Sequence, residues 1–131
     1  MDIEPFASDA ASRRPHVLIV EDQADARLMT RELLEAMGYA TTCVENGREA
    51  LGFLLESDRR PIVVLTDLMM PIMDGRELVA AVRANPALAA IPIVMMTASS
   101  ERCLELPGIR VLRKPLSFEA LLEALEAHAR R

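Results

Sequence analysis

Five residues of this chain could do chemistry together: Glu21, Asp22, Asp67, Thr97 and Lys114. Each stands at the end of a short apolar run. "HVLIV" precedes Glu21 and Asp22, "IVVLT" precedes Asp67, "IPIVMM" precedes Thr97, and "IRVL" leads through Arg113 to Lys114. Three carboxylates brought together repel one another, and a hard divalent cation relieves the repulsion. Mg²⁺ suits a few carboxylates together with waters and a phosphate oxygen. A carboxylate held beside such an ion can also act as a nucleophile and form an aspartyl phosphate. A threonine hydroxyl and a lysine ammonium would then hold the transferred group from its other side. Lys114 is the only lysine among 15 Lys+Arg residues. A compact ammonium on a flexible stem fits a small site that the planar fork of arginine would not.

Taken singly, each residue has a plainer reading. Glu21 and Asp22 could cap a helix and favour its dipole. Asp67 could be a loop acid, Thr97 the end of a β-branched strand, and Lys114 a solvated base. Met69, Met70 and Met73 read as loop and core packing. The five together, at successive strand ends, call for one common explanation.

The elements that must position them alternate. The runs at 16–20, 62–66 and 91–96 are continuous and apolar, as parallel strands covered on both faces tend to be. "ATTCV" (40–44) and "IRVL" (109–112) are more polar, as edge strands are. Helical periods lie between them. Ala26, Met29, Leu33 and Met37 share one face, and Gly38 then stops the helix. Asn46 with Glu49, and Asp74 with Glu77, fit N-caps with an acid three residues on. Phe118, Leu121, Leu122, Leu125 and Ala129 form an apolar stripe behind Ser117 as its cap. The segment 99–106 is the weakest helix, stopped by Pro107-Gly108. Five β-α repeats predict a parallel sheet with helices on both faces and right-handed crossovers. In such a sheet the carboxyl ends of the strands share one edge, where ligands bind.

Composition narrows the function. At 131 residues, the chain reads as a tail over 1–14, expected to be mobile, and one domain over 15–131. A net charge of −5, with arginines scattered among acids, argues against nucleic acid as a partner. No apolar run approaches the roughly 20 residues of a membrane span. The acidic, polar start lacks the apolar core of a signal peptide. Cys43 and Cys103 lack metal-ligand spacing and read as reduced thiols of a cytoplasmic protein.

"VLIVEDQ", "VVLTDLMMPIMDG", "IPIVMMTA" and "VLRKPL" together resemble the receiver domain of bacterial two-component response regulators, over roughly residues 15–130. The resemblance implies a flavodoxin-like (βα)5 fold with strand order 2-1-3-4-5 and a cis bond before Pro115. It implies Asp67 as phosphoryl acceptor, with Thr97 and Lys114 contacting the phosphoryl group. It implies Mg²⁺ held by Asp22, Asp67 and the backbone carbonyl of Met69, with Glu21 acting through water. The implied phosphodonor is a sensor histidine kinase or a histidine phosphotransfer protein, with a downstream protein partner. Homodimerisation is left open.

Three departures from the family pattern stand out. Val111 occupies the strand-5 position where the family usually has an aromatic. Lys114 follows Thr97 by only 17 positions, so the fourth helix must be shortened. Met69, two past the acceptor, offers no side chain to orient an attacking water. The leading expectation is a stand-alone phospho-acceptor module. The alternative is a protein-interaction module with the same fold whose contacts ignore phosphorylation. A hydrolase of the haloacid dehalogenase type is disfavoured, because the second acid it needs would fall on Met69.

Overall fold

The computed structural model describes residues 14–98 and 106–129. The expected tail over 1–14 apart from Arg14, Cys103, and the expected short helix over 99–106 apart from Leu106 lie outside the described residues. The elements run β1 (His16–Val20), α1 (Ala24–Ala36), β2 (Ala40–Val44), α2 (Gly47–Glu56), β3 (Val63–Asp67), α3 (Gly75–Ala84), β4 (Ile93–Thr97), β5 (Arg110–Arg113) and α4 (Phe118–Ala129). The five strands pair in the order β2-β1-β3-β4-β5, and every pairing is parallel. This is the doubly wound α/β sheet that the alternation of elements predicts.

Apolarity on both faces explains the architecture. β1, β3 and β4 are buried along their whole length, and the edge strands β2 and β5 are not. Side chains alternate across a strand, so Val17 and Ile19 join one core while Leu18 and Val20 join the other. Leu34 of α1 and Leu121 and Leu125 of α4 cover the first face. Leu54 of α2 and Leu78 and Val82 of α3 cover the second. Each such side chain stabilises by about 1.5–3 kcal/mol on full burial. Among the described residues, no helix is long and apolar enough to cross a membrane.

Several local expectations hold in detail. Asp74 and Glu77 form a complete capping box on α3. Asn46 caps α2 by accepting from the Glu49 N–H at 2.9 Å, but the Glu49 carboxylate accepts from Glu45 N–H instead of closing the box. Gly38 ends α1 with φ +98°, a conformation that suits glycine. Ser117 accepts from the Ala120 N–H at 3.2 Å.

Other expectations shift. β3 and β4 run one residue further than the apolar runs. Parallel pairing continues through Asp67, opposite Met96, and through Thr97, opposite Arg113. Asp67 and Thr97 are therefore the last residues of their strands, as expected. In α1 the buried residues are Thr30 and Leu34. Of the stripe Ala26, Met29, Leu33 and Met37, Leu33 and Met37 pack partly buried against the first core, while Met29 borders a surface groove and is 70% exposed. Phe118 at the start of α4 is also exposed.

His16 opens β1 as a buried imidazole. Its Nε2 lies 2.7 Å from Thr42 Oγ1 on β2, and its ring meets Phe53 of α2 at 5.9 Å. Burial, and then the charge of Arg59 before β3, hold its pKa below the ordinary 6.5. The unfolded chain takes up a proton at 6.5 that the folded chain resists, so this residue makes stability fall as pH drops below 6.5. Urea melts on either side of pH 6.5 should show a loss in the wild type that His16→Leu reduces; an equal pH dependence in both proteins contradicts the assignment.

Candidate functional site

The carboxyl ends of β1, β3, β4 and β5 deliver the site residues to one edge. β1 ends in Val20, and the chain turns through Glu21 and Asp22 into α1. Neither acid caps that helix: the N-cap is Gln23, and its side chain makes no capping bond. Glu21 turns inward instead and is 1% exposed. Its backbone N–H donates to the Val44 carbonyl at 3.1 Å, and its carbonyl accepts from the Arg27 guanidinium at 2.9 Å. The backbone on both sides of this carboxylate is therefore pinned.

Asp67 closes β3 and is also buried. The Leu68 N–H donates to its Oδ1 at 2.9 Å, and Lys114 Nζ lies 3.2 Å from its Oδ2. The Thr66 hydroxyl donates to the Asp67 carbonyl at 2.9 Å. One donor on each carboxylate oxygen gives the group a single orientation. Lys114 Nζ also donates to Glu21 Oε1 at 2.9 Å. Burial pushes the Lys114 pKa down, but the hydrogen bond it donates to Glu21 and the charge of Asp67 outweigh it, and the net direction is up. The ammonium therefore stays charged in the site.

Glu21, Asp22 and Asp67 each offer a carboxylate oxygen, and these oxygens lie within 4.8 Å of one another. Oxygen ligands so grouped suit a hard divalent cation. Thr97 is buried at the end of the neighbouring strand, and its carbonyl accepts from the Lys114 N–H at 2.9 Å. That bond ties the backbone of the lysine to the end of β4. The Lys114–Pro115 peptide is cis, as the resemblance implies. Met69 follows Asp67 by two residues, with its side chain 72% exposed.

The structure thus brings Glu21, Asp22, Asp67 and Lys114 together and seats Thr97 beside them. Several contributors carried no readable signal. The Gln23 N–H, 3.3 Å from Glu21 Oε2, and the Leu68 N–H are backbone groups. Gly75 is the first residue of α3, and its N–H donates to the Leu68 carbonyl at 2.8 Å. A Cβ there would meet the Asp67 carbonyl at 2.7 Å and Met95 Sδ at 2.6 Å, so only glycine lets α3 start against the end of β3. The "DG" pair marks a helix start in the sequence, but not this approach. Ile72, in the connecting loop, has φ +70°, which costs about 1–2 kcal/mol for a side-chain-bearing residue.

The model of the response regulator receiver domain matches residues 17–126. The chain is 34% identical over 120 residues to the phosphate regulon transcriptional regulatory protein PhoB of Pseudomonas aeruginosa, covering 88% of this chain and 52% of that one. It therefore spans about half of that relative. It is 32% identical over 117 residues to the probable chemotaxis protein CheY of Rhizobium etli, covering 85% of this chain and 89% of that one. Among solved structures, the signal receiver domain of a signal transduction histidine kinase from Syntrophus aciditrophicus superposes with a TM-score of 0.79 at 32% identity, covering 86% of this chain and 88% of that one. With its fold, its acid cluster and its lysine accounted for, this chain belongs to the family of receiver domains of two-component response regulators.

Proposed function

We propose that Asp67 is the phosphoryl acceptor, that it takes the group from a phosphohistidine of a sensor histidine kinase or histidine phosphotransfer protein, and that Mg²⁺ is required. The observation that carries this reading is the Asp67 carboxylate itself. It is buried, held by one donor on each oxygen, and grouped with two further carboxylates. An Asp67 oxygen attacks phosphorus, a P–O bond forms, and the P–N bond to the donor imidazole breaks with its electron pair going to the ring nitrogen. Asp22, Asp67 and the Met69 carbonyl would hold Mg²⁺, with Glu21 acting through water, and the ion supplies neutralisation of the phosphoryl oxygens. Thr97 and Lys114 contact the transferred group from the other side. Phosphoryl transfer of this kind asks for positioning and charge rather than covalent help.

The receiver unit is residues 15–131, preceded by a tail over 1–14, and the protein acts in the cytoplasm. The phosphorylated chain signals through a protein contact or passes the group on. Val111 packs partly buried against the apolar core. The coupling from phosphoryl group to surface therefore falls to Thr97 and Lys114.

Intact-mass analysis after incubation with acetyl phosphate should show one added phosphoryl group with Mg²⁺ and none without it. Asp67→Asn should gain none at that position; equal labelling of wild type and variant sinks the assignment. The metal ligands are tested separately by melting. Mg²⁺ at tenfold its dissociation constant should stabilise the folded chain by about 1.4 kcal/mol. Asp22→Ala should lose that effect while remaining as stable as the wild type without metal, or more so. A Mg²⁺-dependent shift that survives in Asp22→Ala excludes Asp22 as a ligand.

A further inference from the structure

We infer that Arg27 is a positioning residue of the acid site: touching neither the cation nor the phosphoryl group, it aims the Asp22 carboxylate and so sets the affinity for a divalent cation. This rests on the reading of Glu21, Asp22 and Asp67 as a metal site. The first observation is how differently the three acids are held. The Glu21 carboxylate accepts from Lys114 and from the Gln23 N–H, and that of Asp67 accepts from Lys114 and from the Leu68 N–H. Among the described residues, no hydrogen bond or ion pair reaches the Asp22 carboxylate. Its direction is set by the backbone that carries it.

The second observation is what holds that backbone. Asp22 stands between the carbonyls of Glu21 and Gln23, and Arg27 bonds both. Its Nη1 donates to the Glu21 carbonyl and its backbone N–H donates to the Gln23 carbonyl, each at 2.9 Å. One residue, the fourth of α1, thus closes the turn on either side of Asp22. The usual device for fixing such a turn is missing, since the Gln23 side chain makes no capping bond. The third observation is that the charge of Arg27 gains nothing where it stands. It lies toward the amino end of α1, which favours acids. It also lies behind a site for cations, which it repels. The bonds of the guanidinium, rather than its charge, therefore account for its place. Groups that orient a ligand without touching the metal typically govern affinity by about 10–100-fold.

Charge and position predict opposite signs, so affinity separates them. In calorimetric titration of the full-length protein with Mg²⁺, Arg27→Met should bind about tenfold more weakly than wild type. A residue acting by charge alone would give the reverse, because its removal takes a positive charge away from the ion. Arg27→Lys keeps a charged donor on a long stem and should recover most of the affinity. With acetyl phosphate as donor, the loss in Arg27→Met should fall on the Mg²⁺ concentration at half-maximal rate, not on the rate at saturating Mg²⁺. Unchanged or tighter Mg²⁺ binding by Arg27→Met overturns the inference. So does a loss confined to the saturating rate, and so does Arg27→Lys binding no better than Arg27→Met. Absence of Mg²⁺ binding by the wild type overturns the metal site itself, and with it this inference. If Arg27→Met does not fold, Arg27→Gln, neutral and shorter, reads the same sign.

Discussion

The molecule is organised around one ammonium held between two buried carboxylates. Glu21 and Asp67 lie at the ends of β1 and β3, and both are largely shielded from water. Like charges so placed cost free energy unless a cation is paired with them. In the order β2-β1-β3-β4-β5, Lys114 must reach from beyond β5, across β4, to β3 and β1. A long flexible stem with a compact head does this. The bond from its N–H to the Thr97 carbonyl anchors the backbone end of that reach. The same tie makes any movement of the lysine felt at the end of β4.

The sheet exists to hold that edge still. Two apolar layers cover β1, β3 and β4 from both sides, so the strand ends have little freedom. α3 begins against the end of β3 because Gly75 has no Cβ to clash with the Asp67 carbonyl. Gly47, opening α2, donates its N–H to the Met73 carbonyl at 3.0 Å and fixes the far end of the β3–α3 loop. Between those two anchors Ile72 sits in a left-handed conformation with its side chain exposed. The strain thus lies in the loop that carries Met69 rather than in the strands that carry the acids.

Much of this was legible in the sequence, because the two periods involved are unambiguous. Continuous apolar runs identified β1, β3 and β4, and reading the polar residue at the end of each run identified Glu21, Asp67 and Thr97. Apolar pattern ended three strands one residue early, since Asp67, Thr97 and Arg113 are polar yet still paired. In α1 the periodicity found an apolar stripe, but not which side of it meets the sheet. Thr30 and Leu34 are buried and Met29 is not, because two adjacent helical faces differ by a rotation that only packing decides. Sequence also placed Lys114 in the site without showing that Glu21 is its nearer partner. That preference comes from the inward turn of Glu21, pinned by Val44 and Arg27, which no local pattern encodes.

The most direct measurement of this central interaction is a double-mutant cycle on the metal-free protein, using Glu21→Gln, Lys114→Met and both together, with stability read by urea unfolding. The ion pair predicts that the double variant loses less than the sum of the single losses, with a favourable coupling of about 1–3 kcal/mol. Additive losses would mean that the ammonium does not support the buried acid, and would contradict the account of how this edge of the sheet is held.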